Sequence, residues 1–207
     1  SLYGSRYPTT PNLEAEAAHA LVFDNFYAHV GQTANSLAAM SLSIYPYMTW
    51  REYTQEYPDF PGQTLADVLR PRGYRSAFLT SSFLNYVGMD GFLQNRGFDH
   101  FYGNLVGEVD YFSKERGGLI DWQRNGQFLK EDGYFTTLIG DEAVQLIERD
   151  DGSKPLFLYL ASLAPHAPYQ APPEYVDRYK TIADDKRRTY AAMITALDDQ
   201  VVGVLAG

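Results

Sequence analysis

"KPLFLYLASLAPHAPYQAPPEYVDRY", residues 154–179, decides how this chain folds. Its first part, 154–162, is a continuous apolar run between turn residues. That pattern reads as a strand buried on both faces, as in the interior of a parallel sheet. The next part, "APHAPY" (164–169), is a turn in which two prolines stiffen the surroundings of His166. Open α/β sheets meet their ligands beyond the carboxyl ends of the strands, so His166 falls where a ligand would be bound. The plainer reading of the same residue is a solvated loop histidine.

Similar units flank this stretch. "YRSAFLT" (74–80) reads as a second buried strand, after a helix over "PGQTLADVLRPRG" (61–73) that stops near Pro71 and Gly73. "YFTTLIGDEAVQLIER" (134–149) has the spacing of an amphipathic helix, and Arg187 to Leu205 that of a longer one. Pro11 to Ala20 reads as a short helix with Thr10 as its N-cap. "LVFDNFYA" (21–28) is aromatic and β-branched enough for a strand. Asn125-Gly126, within "LIDWQRNGQFL" (119–129), is a strong hairpin signal. Residues 81–118 are Gly- and aromatic-rich with weak periodicity and read as mostly loop with short helical turns. Helices alternating with buried strands predict an α/β sandwich, a largely parallel central sheet flanked by helices.

Composition narrows the function. The chain has 207 residues, 45% of them apolar, enough for one well-filled core. A net charge of −9 without any Lys/Arg block argues against a nucleic-acid partner. No apolar run approaches the length of a membrane span. The absence of cysteine excludes disulfides, thiolate metal sites and a cysteine nucleophile.

The other stretch with chemical content is "HVGQTANSLAAMSLSIYP" (29–46), a polar loop running into a helix of small residues from Ser36 to Leu42. A hydroxyl at the start of a helix either caps the free N–H groups or sits where an oxyanion would bind. Thr33 admits both readings.

Several segments, taken in order, resemble a known family: "TPNLEAEAAHALVFDNFYA", "SLAAMSLSIYP", "TLADVLRPRGYRSAFL", "RGFDHFYG", "GYFTTLIGDEAVQLIER", the 154–179 stretch and "YAAMITALDDQVVGVL". Colinear over nearly the whole chain, they are similar to the N-terminal and central part of the catalytic domain of the sulfatase family, within the alkaline-phosphatase superfamily. The resemblance implies an alkaline-phosphatase-like fold and metal-dependent hydrolysis or transfer at a sulfate or phosphate ester.

It also implies roles. Counting back from Tyr45-Pro46, Thr33 takes the nucleophile position, which also contacts the metal, and Asn35 and Leu37 take the positions of the family's Pro and Arg. Thr cannot become formylglycine, so Thr33 resembles the phospho-transferring branch and favours a phosphate or phosphonate ester. Gln32 and Asn35 would donate hydrogen bonds to the bound anion. His166 matches the family histidine that contacts the ester anion or leaving group. The implied cofactor is a divalent cation (Ca, Mg, Mn or Zn), its other ligands expected on strands before and after these residues. Residues 1–207 are then expected to be a partial catalytic domain, a fragment inactive by itself. The implied substrate is a small-molecule, glycan- or lipid-linked anionic ester, and relatives often work outside the cytoplasm.

Departures from the family pattern support a rival from another class. Ser81 and Phe83 stand where sulfatases carry Lys-x-His, and Met89 where lipoteichoic acid synthases carry Arg. A degenerate member kept as a binding or scaffold module would show such losses. Elsewhere, Asp198-Asp199 reads as a solvated helix face, "ERDDG" (148–152) as a turn, and His29 and His100 as satisfied structural residues; His19 carries no signal.

Overall fold

The computed structural model describes residues 6–23, 33–43, 62–81, 97–104 and 108–206. The centre is strand β1 (Arg75–Ser81), which carries Ala77, Phe78, Leu79 and Thr80, all almost fully buried. Alternate side chains of a strand point to opposite faces, so a run without polar alternation must be covered on both. On one side β1 pairs in parallel with β2 (His100–Asn104), in a register that sets Ala77 opposite His100 and Ser81 opposite Asn104. On the other it pairs in parallel with β7 (Leu156–Ala161), Arg75 opposite Leu156 and Thr80 opposite Ala161. The carboxyl ends of all three strands therefore lie along one edge.

β2 is a strand inside the stretch 81–118 that the sequence reads as mostly loop, of which 82–96 and 105–107 lie outside the described residues. Its sequence, HFYGN, is short and contains Gly103, whose φ is +136°. A Cβ there would overlap the carbonyl oxygen of Thr80, so only glycine lets the two strand ends close on each other. Short length and an internal glycine erase the periodicity that marks longer strands.

Strands β3 (Glu115–Arg116) and β4 (Leu119–Ile120) form a small antiparallel pair. β5 (Gln123–Arg124) and β6 (Gln127–Phe128) form the expected hairpin and extend the main sheet antiparallel to β2, giving the order β6-β5-β2-β1-β7. Asn125 and Gly126 both have positive φ, 50° and 82°, as a type I′ turn requires. β7 is half-buried along its length rather than covered on both faces, because it is the edge strand among the described residues.

Helix α1 spans Pro11–Ala17, shorter than the sequence reading. Residues 21–23, where the aromatic strand should begin, are irregular, and 24–28 lie outside the described residues. Helix α2 (Thr33–Leu42) begins three positions before Ser36, so Thr33 belongs to its first turn and is not a cap on a later start. Helix α3 (Leu65–Leu69) opens with a capping box: Thr64 Oγ1 accepts the Asp67 N–H at 3.1 Å, while Asp67 Oδ2 accepts the Thr64 N–H at 2.9 Å. It tightens into a 3₁₀ turn (Arg70–Arg72) ended by Gly73 in the left-handed region.

Helix α4 (Phe135–Glu148) buries Phe135, Ile139 and Ala143, a stripe at helical spacing. Together with Leu79, Tyr102, Val109, Tyr111, Trp122, Tyr134, Met193 and Ala196 they form the larger core. Its aromatic rings meet edge to face, Tyr102 on Trp122 at 4.7 Å and Trp122 on Phe135 at 4.8 Å. Helices α5 (Pro173–Val176) and α6 (Asp185–Ala206) follow β7, and α6 packs along α4.

Asp198 corrects the reading of a solvated face. It is fully buried on α6, and its carboxylate accepts the N–H groups of Asn12 (2.8 Å) and Leu13 (2.9 Å). Those are free first-turn donors of α1, whose own N-cap residue, Thr10, makes no side-chain cap bond. An anion at a helix N-terminus is stabilised both by these hydrogen bonds and by the helix dipole. Asp199 adds a bond from the Asn12 side chain at 3.1 Å.

Candidate functional site

The chain leaves β7 at its carboxyl end and turns through residues 162–172. The Ser162 hydroxyl accepts the Ala164 N–H at 3.2 Å, and the His166 N–H donates to the Leu163 carbonyl at 2.7 Å. The Ala164–Pro165 and Ala167–Pro168 peptides are both cis. His166 is exposed, and its Nδ1 lies 2.7 Å from the Ala167 carbonyl oxygen. A carbonyl can only accept, so Nδ1 carries the proton and Nε2 holds the lone pair of the neutral ring. Nε2 has no partner among the described residues.

The turn rests on residues far away in sequence. The Tyr111 hydroxyl donates to the His166 carbonyl at 2.9 Å, and the Tyr134 hydroxyl to the Gln170 carbonyl at 3.0 Å. The Gln170 side chain accepts the Tyr111 N–H at 2.8 Å and donates to Asp110 Oδ2 at 2.5 Å. Asp110 Oδ1 accepts the N–H groups of Phe112 and Ser113 at 2.9 and 2.8 Å. Burial works against the Asp110 carboxylate, but the Gln170 amide and these two N–H groups prevail and hold its pKa below the usual value. Burial drives the Tyr111 hydroxyl well above its ordinary range and that of Tyr134 to about 12, so both act as neutral donors at physiological pH.

Beneath this lies Lys114, buried, with Nζ donating to the carbonyls of Phe112 (2.8 Å), Glu131 (2.6 Å) and Gly133 (2.7 Å). Burial lowers its pKa, against the pull of Glu131, Asp132 and Asp110. All three ammonium protons have acceptors, which is what allows a lysine to sit in the interior.

Of the residues singled out in the sequence, His166 lies beyond the carboxyl edge of the parallel sheet, exposed on a braced turn. Thr33 and Asn35 are placed by their backbone as the first and third residues of α2. Gln32 lies outside the described residues, as do Phe83, Met89 and His29. His100 is held elsewhere: Nε2 meets Glu142 at 2.9 Å, and Glu142 also binds Arg124 at 2.6 Å. Tyr111, Gln170 and Asp110 escaped the sequence reading, because no spacing rule links residues 59 positions apart.

A hard divalent cation needs several oxygen ligands, mostly carboxylates. Among the described residues no three His, Asp or Glu side chains stand together. The partly buried Asp110 and the buried Asp198 are already engaged by N–H donors. The described residues therefore do not fit the cation by themselves.

Comparison with known proteins agrees with this architecture. The family model described as Sulfatase matches residues 1–207. Arylsulfatase J of Mus musculus is 30% identical over 209 residues, covering 94% of this chain and 35% of the relative. N-acetylglucosamine-6-O-sulfatase of Bacteroides thetaiotaomicron is 27% identical, covering 85% of this chain and 30% of the relative. The chain thus spans about a third of the length of these curated relatives. Among solved structures, Ps i-CgsB in complex with k-i-k-neocarrahexaose superposes with a TM-score of 0.75 at 25% identity, over 95% of this chain and 49% of that one.

Proposed function

This chain belongs to the sulfatase family, and from that premise we propose that it forms part of a site that hydrolyses an anionic ester, with His166 contacting the ester anion or its leaving group. The carrying observation is the state of the imidazole. With Nδ1 bonded to the Ala167 carbonyl, the ring presents Nε2 outward from the carboxyl edge of the sheet. A protonated Nε2 donates to the departing oxygen as its bond to the central atom breaks, so the leaving group departs as an alcohol.

Thr33 is the proposed nucleophile. Its place on the first turn of α2 supports this, because the free N–H groups of that turn and the helix dipole favour an oxyanion beside it. Asn35 and Gln32 are proposed as further donors to the anion. The family favours a sulfate ester. The threonine favours a phosphate or phosphonate ester, since its hydroxyl attacks directly and cannot become an aldehyde. A glycan bearing the ester is the proposed substrate class, after the saccharide bound by the solved relative. A divalent cation would supply charge neutralisation at the ester, with carboxylates from outside the described residues.

A second reading, a non-catalytic scaffold, is favoured by Leu37 and Ser81 at positions where the family carries Arg and Lys. The deciding experiment assays the intact protein with aryl sulfates and aryl phosphates in the presence of divalent metal, beside Thr33→Ala and His166→Ala. Turnover of either ester, lost in both variants, supports the catalytic reading and names the substrate. Absence of turnover with both esters in the wild type supports the scaffold.

A further inference from the structure

We propose that Tyr111 and Gln170, tied to each other and to Asp110, are positioning residues for His166. The inference deepens the reading above and rests on His166 being the group that meets the ester.

The geometry is specific. The turn that carries the imidazole is held through two main-chain carbonyls, by Tyr111 at His166 and by Tyr134 at Gln170. The two tyrosine rings stack at 5.6 Å and 21°, so the two anchors pack against each other. Gln170 closes the loop by accepting the Tyr111 N–H and donating to Asp110, and an amide does both where neither a carboxylate nor an ammonium does. The Tyr111 carbonyl accepts the Phe135 N–H at 2.8 Å, which roots the assembly in the first turn of α4. Lys114 fastens the Asp110 turn to the 131–133 segment from below. Two tyrosine hydroxyls thus hold the backbone of the turn that carries one exposed imidazole, and neither touches the ring.

That distribution separates positioning from catalysis. The ring nitrogen Nε2 stays open for substrate, and Nδ1 reaches the Ala167 carbonyl only while the turn keeps its shape. Loosening the Tyr111 anchor frees the His166 carbonyl, lets the turn breathe and weakens the Nδ1 bond, so the imidazole samples both tautomers. A misplacement on this scale costs rate without costing ground-state binding.

The test uses the intact protein with Tyr111→Phe, Gln170→Leu, His166→Ala and, as a control remote from the turn, Arg124→Met. Gln170→Leu strands the Tyr111 N–H and is prone to misfold. Tyr111→Phe keeps the ring and its stacking and removes only the hydroxyl, so it carries the decision. In ¹⁵N-histidine-labelled protein the His166 nitrogen shifts should report the Nδ1–H tautomer in the wild type and in Arg124→Met, and a tautomer mixture in Tyr111→Phe. The kcat of Tyr111→Phe should fall about ten-fold with KM within about two-fold, while Arg124→Met loses stability but keeps kcat. An unchanged tautomer in Tyr111→Phe overturns the inference, whatever the activity. If His166→Ala keeps full kcat, the proposed function of His166 falls instead, and the nitrogen shifts still decide the positioning.

Discussion

His100 and His166 lie at opposite ends of the same parallel sheet and are held in opposite ways. His100 opens β2, with its side chain largely covered, and its Nε2 is bonded to a carboxylate that Arg124 also binds. His166 follows the carboxyl end of β7, and its ring touches only a neighbouring carbonyl while its backbone is braced from below. At the amino end the imidazole is part of the structure. At the carboxyl end the backbone of the turn is held and the imidazole is left exposed. Ligands of α/β sheets collect at carboxyl edges, and the asymmetry between the two histidines follows that rule.

The strongest way to break this comparison is Glu142→Ala. Glu142 is 7% exposed, and although burial opposes its charge, His100 and Arg124 hold its pKa at about 2. Removing it should cost about 3 kcal/mol in urea denaturation, from the shift of the carboxyl pKa. The sign with pH is fixed: a depressed carboxyl pKa contributes stability above about 4.5, lost progressively as pH falls to about 2. Wild-type stability should drop across that window and that of Glu142→Ala stay flatter. Equal slopes for the two proteins would mean that the ion triad does not hold this end of the sheet.

How far the sequence revealed these two ends depends on how local the signals are. The buried β1, the α4 stripe and the Asn125-Gly126 turn are each encoded within a few residues, and the structure has them; β7 is present as a strand but only half-buried, since burial depends on neighbours the local pattern does not specify. β2 was missed because Gly103, required by the Thr80 carbonyl, interrupts its pattern. The start of α2 was placed too late because its small residues have almost no amphipathic contrast. The motif around His166 was legible as a Pro-stiffened turn, yet its bracing was not, since Tyr111 and Gln170 meet only after the chain has folded. Asp198 misled for the same reason: beside Asp199 on a helix it looks solvated, and only the tertiary fold brings the N-terminus of α1 onto it.

Asp198→Ala therefore extends the comparison to a second buried, fully engaged carboxylate. It leaves the Asn12 and Leu13 N–H groups without their acceptor, and should cost about 2 kcal/mol by chemical denaturation. Increased amide exchange should be confined to α1 and the adjoining part of α6. A loss spread evenly over the sheet would show that the cap does more than hold α1.

The smallest effects carry the sharpest contrast. His100→Ala removes one hydrogen bond to Glu142 and should cost about 1 kcal/mol. His166→Ala removes only the Nδ1 contact to Ala167, because the bonds from the His166 N–H to Leu163 and from Tyr111 to the His166 carbonyl belong to the main chain and persist in alanine. Water replaces the lost contact at an exposed position, so the stability should change by less than about 0.5 kcal/mol. A pair of matched thermal melts checks this. If His166→Ala costs as much as His100→Ala, the imidazole is holding its turn together, and the bracing by Tyr111 and Gln170 would be incomplete without it. If the cost is negligible while ester turnover collapses, the side chain is present for chemistry alone.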